Sequence, residues 1–334
     1  MRITGIWYLH EIGAKKNQED YIWPVAGRAG ADETVFIVCD GVGGSDNGEI
    51  ASRFIAEFIA LRVKEFEAGQ MSEALINQLL SEARTGLMKF AEDKHLNPDM
   101  ATTFSLFILY GESAFIAWCG DTRVYHVRSG KIRFKTEDHS LVNTLVKEGE
   151  ITEEEARLHP QKNIILRAIR ADGSPIEADA HWITDVQVDD FFLLCTDGIL
   201  ENITDGDIEL LLSKKDVEKS DLTGLFQEYC FGKTRDNYSM YLLRTGVAGI
   251  KKPVVAYSKN KLFLISAILL IFVLIIFYVS RVNIRHYQIQ RKDSVLSSTN
   301  QVPKRDSLPY LEIVNEGEDS ATADSLKIDS VRKK

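Results

Sequence analysis

Apolar residues follow two rhythms along this chain. Three short runs are unbroken and end on or near an acid. These are Val35-Phe36-Ile37-Val38-Cys39 before Asp40, Phe115-Ile116-Ala117-Trp118-Cys119 before Gly120-Asp121, and Phe191-Phe192-Leu193-Leu194-Cys195 before Thr196-Asp197. Runs of this kind predict strands buried on both faces. Elsewhere the rhythm is helical. Ile50, Phe54, Ile55, Phe58, Ile59, Val63 and Phe66 share one face of a helix over 49–66. Leu75, Ile76, Leu79, Leu80, Ala83, Leu87 and Phe90 share one face of a second, with Ser72 as its N-cap. Residues 3–9 and 20–25 predict strands, and others follow at 103–110, 114–119, 123–127 and 131–134. In 138–157 the apolar residues are spread through charged ones, and Thr152-Glu153-Glu154-Glu155 forms a capping box. Two short helices lying over a sheet and bordering a site are predicted there. Strands resume at 164–168, 178–182 and 190–195, helices at 207–212 and 221–231, and a last strand at 238–244.

Neighbouring strands are close enough for antiparallel hairpins. The expected class is therefore α+β, with packed antiparallel sheets and helices outside them. Asp40-Gly41 leads into a Gly/Ser/Asn segment and then a helix, which is not how a hairpin turn continues. Gly41-Val42-Gly43-Gly44 lacks the Lys-Ser/Thr of a phosphate-binding P-loop.

The pattern changes after residue 248. A basic juxtamembrane linker is expected over 249–261. Residues 262–279 carry no charge, with Ser266 the clearly polar exception, which predicts one membrane-spanning helix. Residues 280–334 are polar and expected to be disordered; Asp-Ser-Leu or Asp-Ser-Val occurs there at Asp293, Asp306, Asp324 and Asp329. Basic residues flank the apolar stretch on both sides, so charge alone does not orient it. The start of the chain lacks a long apolar signal region. With a large N-terminal domain, this favours a single-pass protein of the inner or plasma membrane whose N-terminal domain is cytoplasmic. The net charge of −9, with no large basic block before the tail, disfavours nucleic acid as a partner. Cys39, Cys119, Cys195 and Cys230 are widely spaced, and a reducing compartment without disulfides fits them. None is followed at six residues by Arg, which excludes a cysteine-based phosphatase.

Several acids stand at predicted strand ends or in turns: Glu19, Asp20, Asp40, Asp121, Asp197 and Asp236. Carboxylates gathered from distant parts of a chain repel one another unless cations lie between them. All-oxygen donors suit Mg²⁺ or Mn²⁺ rather than Zn²⁺. Two such ions about 3.5–4 Å apart share a carboxylate, activate a water and hold a phosphoryl group for in-line attack. Gly41 permits close approach of its backbone carbonyl to an ion.

These motifs, taken in order, resemble the metal-dependent Ser/Thr protein phosphatases of type 2C. The resemblance rests on Lys15 with Glu19-Asp20, on Cys39-Asp40-Gly41-Val42-Gly43-Gly44, on Gly120-Asp121-Thr122-Arg123-Val124-Tyr125, on Asp138-His139-Ser140, on Thr196-Asp197-Gly198 and on Asp236-Asn237. It spans roughly residues 4–246 and makes 1–248 the phosphatase domain. It implies two packed antiparallel sheets flanked by helices, and two Mn²⁺ or Mg²⁺ ions with a weaker third. Asp40 would bridge two ions. The Gly41 carbonyl and, through water, Glu19 or Asp20 would complete one, Asp197 and Asp236 would hold the other, and Asp121 with Asp197 the third. Substrates would be phosphorylated Ser/Thr proteins, the targets of kinases. Two departures stand out. Lys15 replaces the usual phosphate-binding Arg, keeping the charge and losing the bidentate fork. Val42 stands where some relatives carry a His proposed as general acid, so the leaving alkoxide takes its proton from water or elsewhere. Lys16 is expected to be a solvated neighbour. A catalytically weak phosphoprotein-binding membrane protein and a hydrolase of small phosphoesters are the other readings.

Overall fold

Within the apolar strands, alternate residues enter different cores. Strand β3 (Val35–Cys39) turns Val35, Ile37 and Cys39 toward helices and Phe36 and Val38 toward a second sheet. Strand β11 (Phe191–Cys195) does the same from the other side: Phe191, Leu193 and Cys195 face helices, while Phe192 and Leu194 face β3's sheet. This is why both strands are apolar at every position.

The computed structural model describes residues 1–30, 32–42, 47–213, 221–247 and 254–256, all within the first of the chain's two units, Met1–Ile268. Gly43 and Gly44, the apolar stretch 262–279 and the tail lie outside the described residues.

One sheet holds β1 (Arg2–Glu11), β7 (Arg123–Arg128), β8 (Lys131–Lys135), β11, β12 (Tyr238–Gly246) and β13 (Val254–Ala256), in the order β13-β1-β12-β11-β7-β8. The other holds β2 (Tyr21–Trp23), β3, β5 (Phe104–Tyr110), β6 (Ser113–Cys119) and β10 (Asp179–Ile183), in the order β10-β6-β5-β3-β2. All pairings in both sheets are antiparallel except β1 with β13. Helices α1 (Gly48–Arg62) and α2 (Glu73–Lys94) cover the β3 sheet through Ile55, Ile59, Leu79, Leu80 and Leu87. On the far side, α5 (Asp197–Leu200), α6 (Asp205–Leu212) and α7 (Leu222–Cys230) pack Ile199, Ile208, Leu211 and Phe226 against the β11 sheet. The expected α+β sandwich is the observed one.

Local signals hold at most ends. Ser72 caps α2, its side chain accepting from the Leu75 N–H. The Thr152 capping box opens α4 (Glu153–Leu158), which with α3 (Leu141–Lys147) forms the expected pair of short helices. One strand is corrected. Residues 164–168 form no strand; Ile165 makes a single bridge to Ser140, and Ile164 and Leu166 are 40% and 54% exposed. A strand needs a partner along its length, and here pairing proper begins with β9 (Ile169–Arg170) against β4 (Ala101–Thr102). The stretch expected as a linker contributes β13, paired in parallel with Gly5, Ile6 and Trp7.

Candidate active site

Strand register gathers the acids at one end of both sheets. Tyr21 pairs with Cys39, so Asp20 and Asp40 leave their strands side by side. Cys195 pairs with Met240, and Glu11 with Tyr238, so Asp197, Asp236 and the loop after β1 reach the same edge. Cys119 pairs with Phe104, which delivers Asp121 two residues later.

Backbone anchors then fix each acid. The Asp40 carbonyl accepts from the Thr103 N–H at 2.8 Å and the Thr102 hydroxyl at 2.9 Å, and the Asp40 N–H donates to Thr103 Oγ1 at 3.0 Å. Thr103 Oγ1 also bonds Thr122 Oγ1, tying the Asp40 turn to the Asp121 turn. His139 holds that second turn: its N–H donates to the Gly120 carbonyl, and its Nδ1 accepts from the Gly120 N–H. Arg123, just beyond, makes a fork to Asp138 with both contacts at 2.6 Å. Asn237 staples the loop after β1. Its Nδ2 donates to the Ile12 and Asn17 carbonyls at 2.8 and 2.9 Å, and its Oδ1 accepts from the Glu19 N–H at 2.8 Å. At Gly198 a Cβ would lie 1.9 Å from the Asn237 carbonyl oxygen, so only glycine lets the Asp197 turn pass this corner.

The result is an open cavity of about 470 Å³ lined by Lys15, Glu19, Asp40, Asp121, Asp197 and Asp236, with Lys16, Asn17, Val42, Asn163 and Ile165 completing the wall. Asp20 and Gly41 are not among the lining residues. Asp20 lies beneath, 3% exposed, accepting from the Thr196 hydroxyl at 3.1 Å. The Gly41 N–H donates to the Glu19 carbonyl. Lys16 is exposed, as expected, and also borders the cavity. Thr102, Thr103, Asn163 and Ile165 carry no sequence signal that marks them as site residues; Thr122, His139 and Asn237 had one, their places beside Asp121, Asp138 and Asp236.

Burial raises the Asp40 and Asp121 carboxyls well above the ordinary carboxylate range, and neighbouring acids push the same way. Burial and the nearby Asp197 lift Asp20 to about 8, and burial with Asp236 and Glu201 lifts Asp197 to about 6. Among the described residues, the carboxylate oxygens Oδ1 of Asp20, Asp121 and Asp197 are buried without a hydrogen-bond partner. A buried acceptor left unmade is costly. Three such oxygens, on acids that the strand register brings to one edge of the sheets, make an all-oxygen donor set of the kind that suits hard divalent cations. Among the described residues no three His, Cys, Asp or Glu side chains close into a ready metal cage; the donors instead surround the open cavity.

The serine/threonine phosphatase stp of Listeria innocua is 33% identical over 195 residues, covering 57% of this chain and 77% of that protein. The crystal structure of the serine/threonine phosphatase Stp1 from Staphylococcus aureus superposes with a TM-score of 0.62 at 27% identity, over 74% of this chain and 98% of that one. The catalytic domain of the serine/threonine protein phosphatase PstP, solved in complex with two manganese ions, shares the fold with a TM-score of 0.61 at 24% identity, over 73% of this chain and 99% of that one. The family profile described as Protein phosphatase 2C matches residues 10–230. With the sandwich, the carboxylate-lined cavity and this match together, the chain belongs to the protein phosphatase 2C family.

Proposed function

We propose that this chain hydrolyses phosphoserine and phosphothreonine in proteins at a carboxylate site for two Mn²⁺ or Mg²⁺ ions. The observation that carries the reading is the convergence of Asp40, Asp121, Asp197 and Asp236 on one cavity, backed by buried carboxylate oxygens that lack partners. The phosphatases it resembles, and the two manganese ions of the PstP catalytic domain, support it.

When bound, the two ions supply charge for the phosphoryl oxygens and activation of the attacking water. The chain's own groups do the rest. Asp40, held by Thr102 and Thr103 and close enough to feel the Asp20 and Asp197 carboxyls, would serve both ions. Asp236 and Asp197 would hold one ion, and Asp121 with Asp197 a weaker third. The Gly41 carbonyl and, through water, Glu19 or Asp20 would complete the other. Lys15, on the cavity wall, would bind the phosphate as a point charge. Val42 offers no proton at the cavity wall, so the leaving serine or threonine oxygen is protonated by solvent.

We also infer that the apolar stretch 262–279 anchors the enzyme in the inner or plasma membrane, with the phosphatase domain, residues 1–248, in the cytoplasm. The uncharged length of that stretch supports this. Among the described residues no helix is long and apolar enough to cross a membrane.

The test is hydrolysis of a phosphothreonine peptide. EDTA should abolish it and Mn²⁺ or Mg²⁺ should restore it, and Asp40→Asn or Asp197→Asn should lower turnover by orders of magnitude. Full turnover after exhaustive metal removal would sink the reading. Preference for a small phosphoester over the peptide would replace the substrate class.

A further inference from the structure

Lys15 rides on a loop fixed through its backbone, and its tip is paired with Asp236. The loop that carries it is stapled at Ile12, Asn17 and Glu19 by the Asn237 side chain. Its ammonium stands 2.8 Å from Asp236 Oδ1, with the two side chains 39% and 33% exposed. The same oxygen accepts the Asn237 N–H at 2.8 Å. Glu19 and Asp40 lie near enough to add to the attraction on the ammonium. Lys16 borders the same cavity, yet among the described residues it forms no ion pair. A lysine stem has four rotatable carbons, so the ammonium can turn while the loop stays fixed.

Asp236 therefore faces two claims. A divalent cation at its carboxylate would sit beside an ammonium of like sign, and the two would repel. We infer that Lys15 is the acidic site's built-in counter-ion, which competes with a divalent cation at Asp236 and turns to the substrate phosphate once that cation is bound. This rests on the phosphatase reading above. It adds that cation and phosphate affinity are linked through one side chain, so a change at Lys15 moves the two in opposite directions.

Calorimetric titration of Mn²⁺ into metal-stripped, full-length protein in mild detergent tests this without reference to turnover. Lys15→Met should tighten Mn²⁺ binding by roughly three- to tenfold, the scale of a partly exposed ion pair plus relief of like-charge repulsion. Lys15→Arg keeps the charge and should stay near wild type. Lys16→Met removes the same charge from the same cavity without breaking a pair, and should shift binding less than about twofold. The Lys15 effect should shrink at high salt. Inorganic phosphate, titrated into the Mn²⁺-saturated proteins, should bind Lys15→Met more weakly than wild type by about tenfold, the loss of one charge-assisted hydrogen bond. Equal Mn²⁺ affinities for wild type and Lys15→Met, in a protein whose hydrolysis still needs Mn²⁺, would overturn the counter-ion role alone. Equal tightening by Lys15→Met and Lys16→Met would overturn it too, leaving only a general charge effect. A wild type that binds no Mn²⁺ would overturn both this and the phosphatase reading.

Discussion

Asp190 is the acid that the site does not use, and it shows what a satisfied carboxylate looks like in this molecule. Its side chain has no solvent exposure. It accepts from Arg128 Nε and Nη2, both at 2.7 Å, from His126 Nε2 at 2.9 Å and from the Gln187 N–H at 2.9 Å. Burial pushes its carboxyl up, and the bonds from Arg128, His126 and Gln187 outweigh that and hold it well below the ordinary carboxylate range. The contrast with the cavity acids, raised and partly unpartnered, marks those as groups kept for a ligand. The sign of the pH effect follows. A carboxyl depressed in the folded state contributes stability that is present above its unfolded pKa, about 3.9, and lost as pH falls toward the folded value. Wild-type stability in urea should therefore drop below about pH 4, and Asp190→Asn should flatten that drop. Asp190→Ala, which leaves His126 without its carboxylate and Arg128 with Asp185 alone, should cost about 1–3 kcal/mol at neutral pH. An Asp190→Asn profile with the same acid slope as wild type would assign the slope to other groups.

At the scale of elements, the end of β3 and the start of α1 meet through two glycines. A Cβ on Gly41 would stand 2.6 Å from the backbone carbon and oxygen of Gly48 and 2.7 Å from the Glu19 carbonyl. All three neighbours are backbone, so none can rotate away. Gly41→Ala should thus force the helix off the strand end, at about 1–3 kcal/mol for an overpacked contact. Because Asp40 is the adjacent residue, Mn²⁺ affinity should fall with it. Measuring denaturant midpoint and Mn²⁺ binding on one preparation checks both, and unchanged Mn²⁺ binding in a destabilised variant would separate the glycine from the site. The two short helices α3 and α4 behave differently. Neither buries any residue fully, and the segment after them supplies Asn163 and Ile165 to the cavity wall. Apolar residues at 164–166 suggested a strand because periodicity reports burial or pairing without saying which partner is present.

For the whole molecule, the edge strand β13 shifts where a soluble fragment should end. It pairs with β1, whose other side pairs with β12. A chain ending after Ala256 should be soluble and fully active, since it keeps every strand of both sheets. A chain ending after Val247 should fold with a lower Tm, because the β1 edge loses its partner. Identical melting of the two would show that β13 adds nothing to the domain. The membrane proposal has its own measurement. A reporter fused after Lys334 should lie on the opposite side of the membrane from residues 1–248. Protease that removes the N-terminal domain from intact spheroplasts while sparing the tail would reverse the orientation.

Most elements and their layering were legible along the chain, apart from the strand expected at 164–168 and the unexpected β13. Unbroken apolar runs such as Val35–Cys39 and Phe191–Cys195 could only be strands covered on both faces, because each alternate residue needs its own apolar layer. Caps at Ser72 and Thr152 were equally legible, since a cap is a contact within one turn. The acids that gather at one edge were legible as candidates as well, because three buried apolar runs end on or near one. Their arrangement was not. Which acids line the cavity and which, like Asp20, lie beneath it depends on strand register, and register is set by pairings between residues as distant as Tyr21 and Cys39 or Cys195 and Met240. The supports at Thr102 and Thr103 are ordinary polar residues until a backbone group from another strand arrives within bonding distance, and the partners of Thr122, His139 and Asn237, which stand in the motifs, were equally hidden. The pairing of Lys15 with Asp236, rather than Lys16, was beyond the sequence for the same reason. Two adjacent lysines have the same charge and the same neighbours in the chain, and only the folded loop, fixed by Asn237, brings one ammonium to 2.8 Å from the carboxylate.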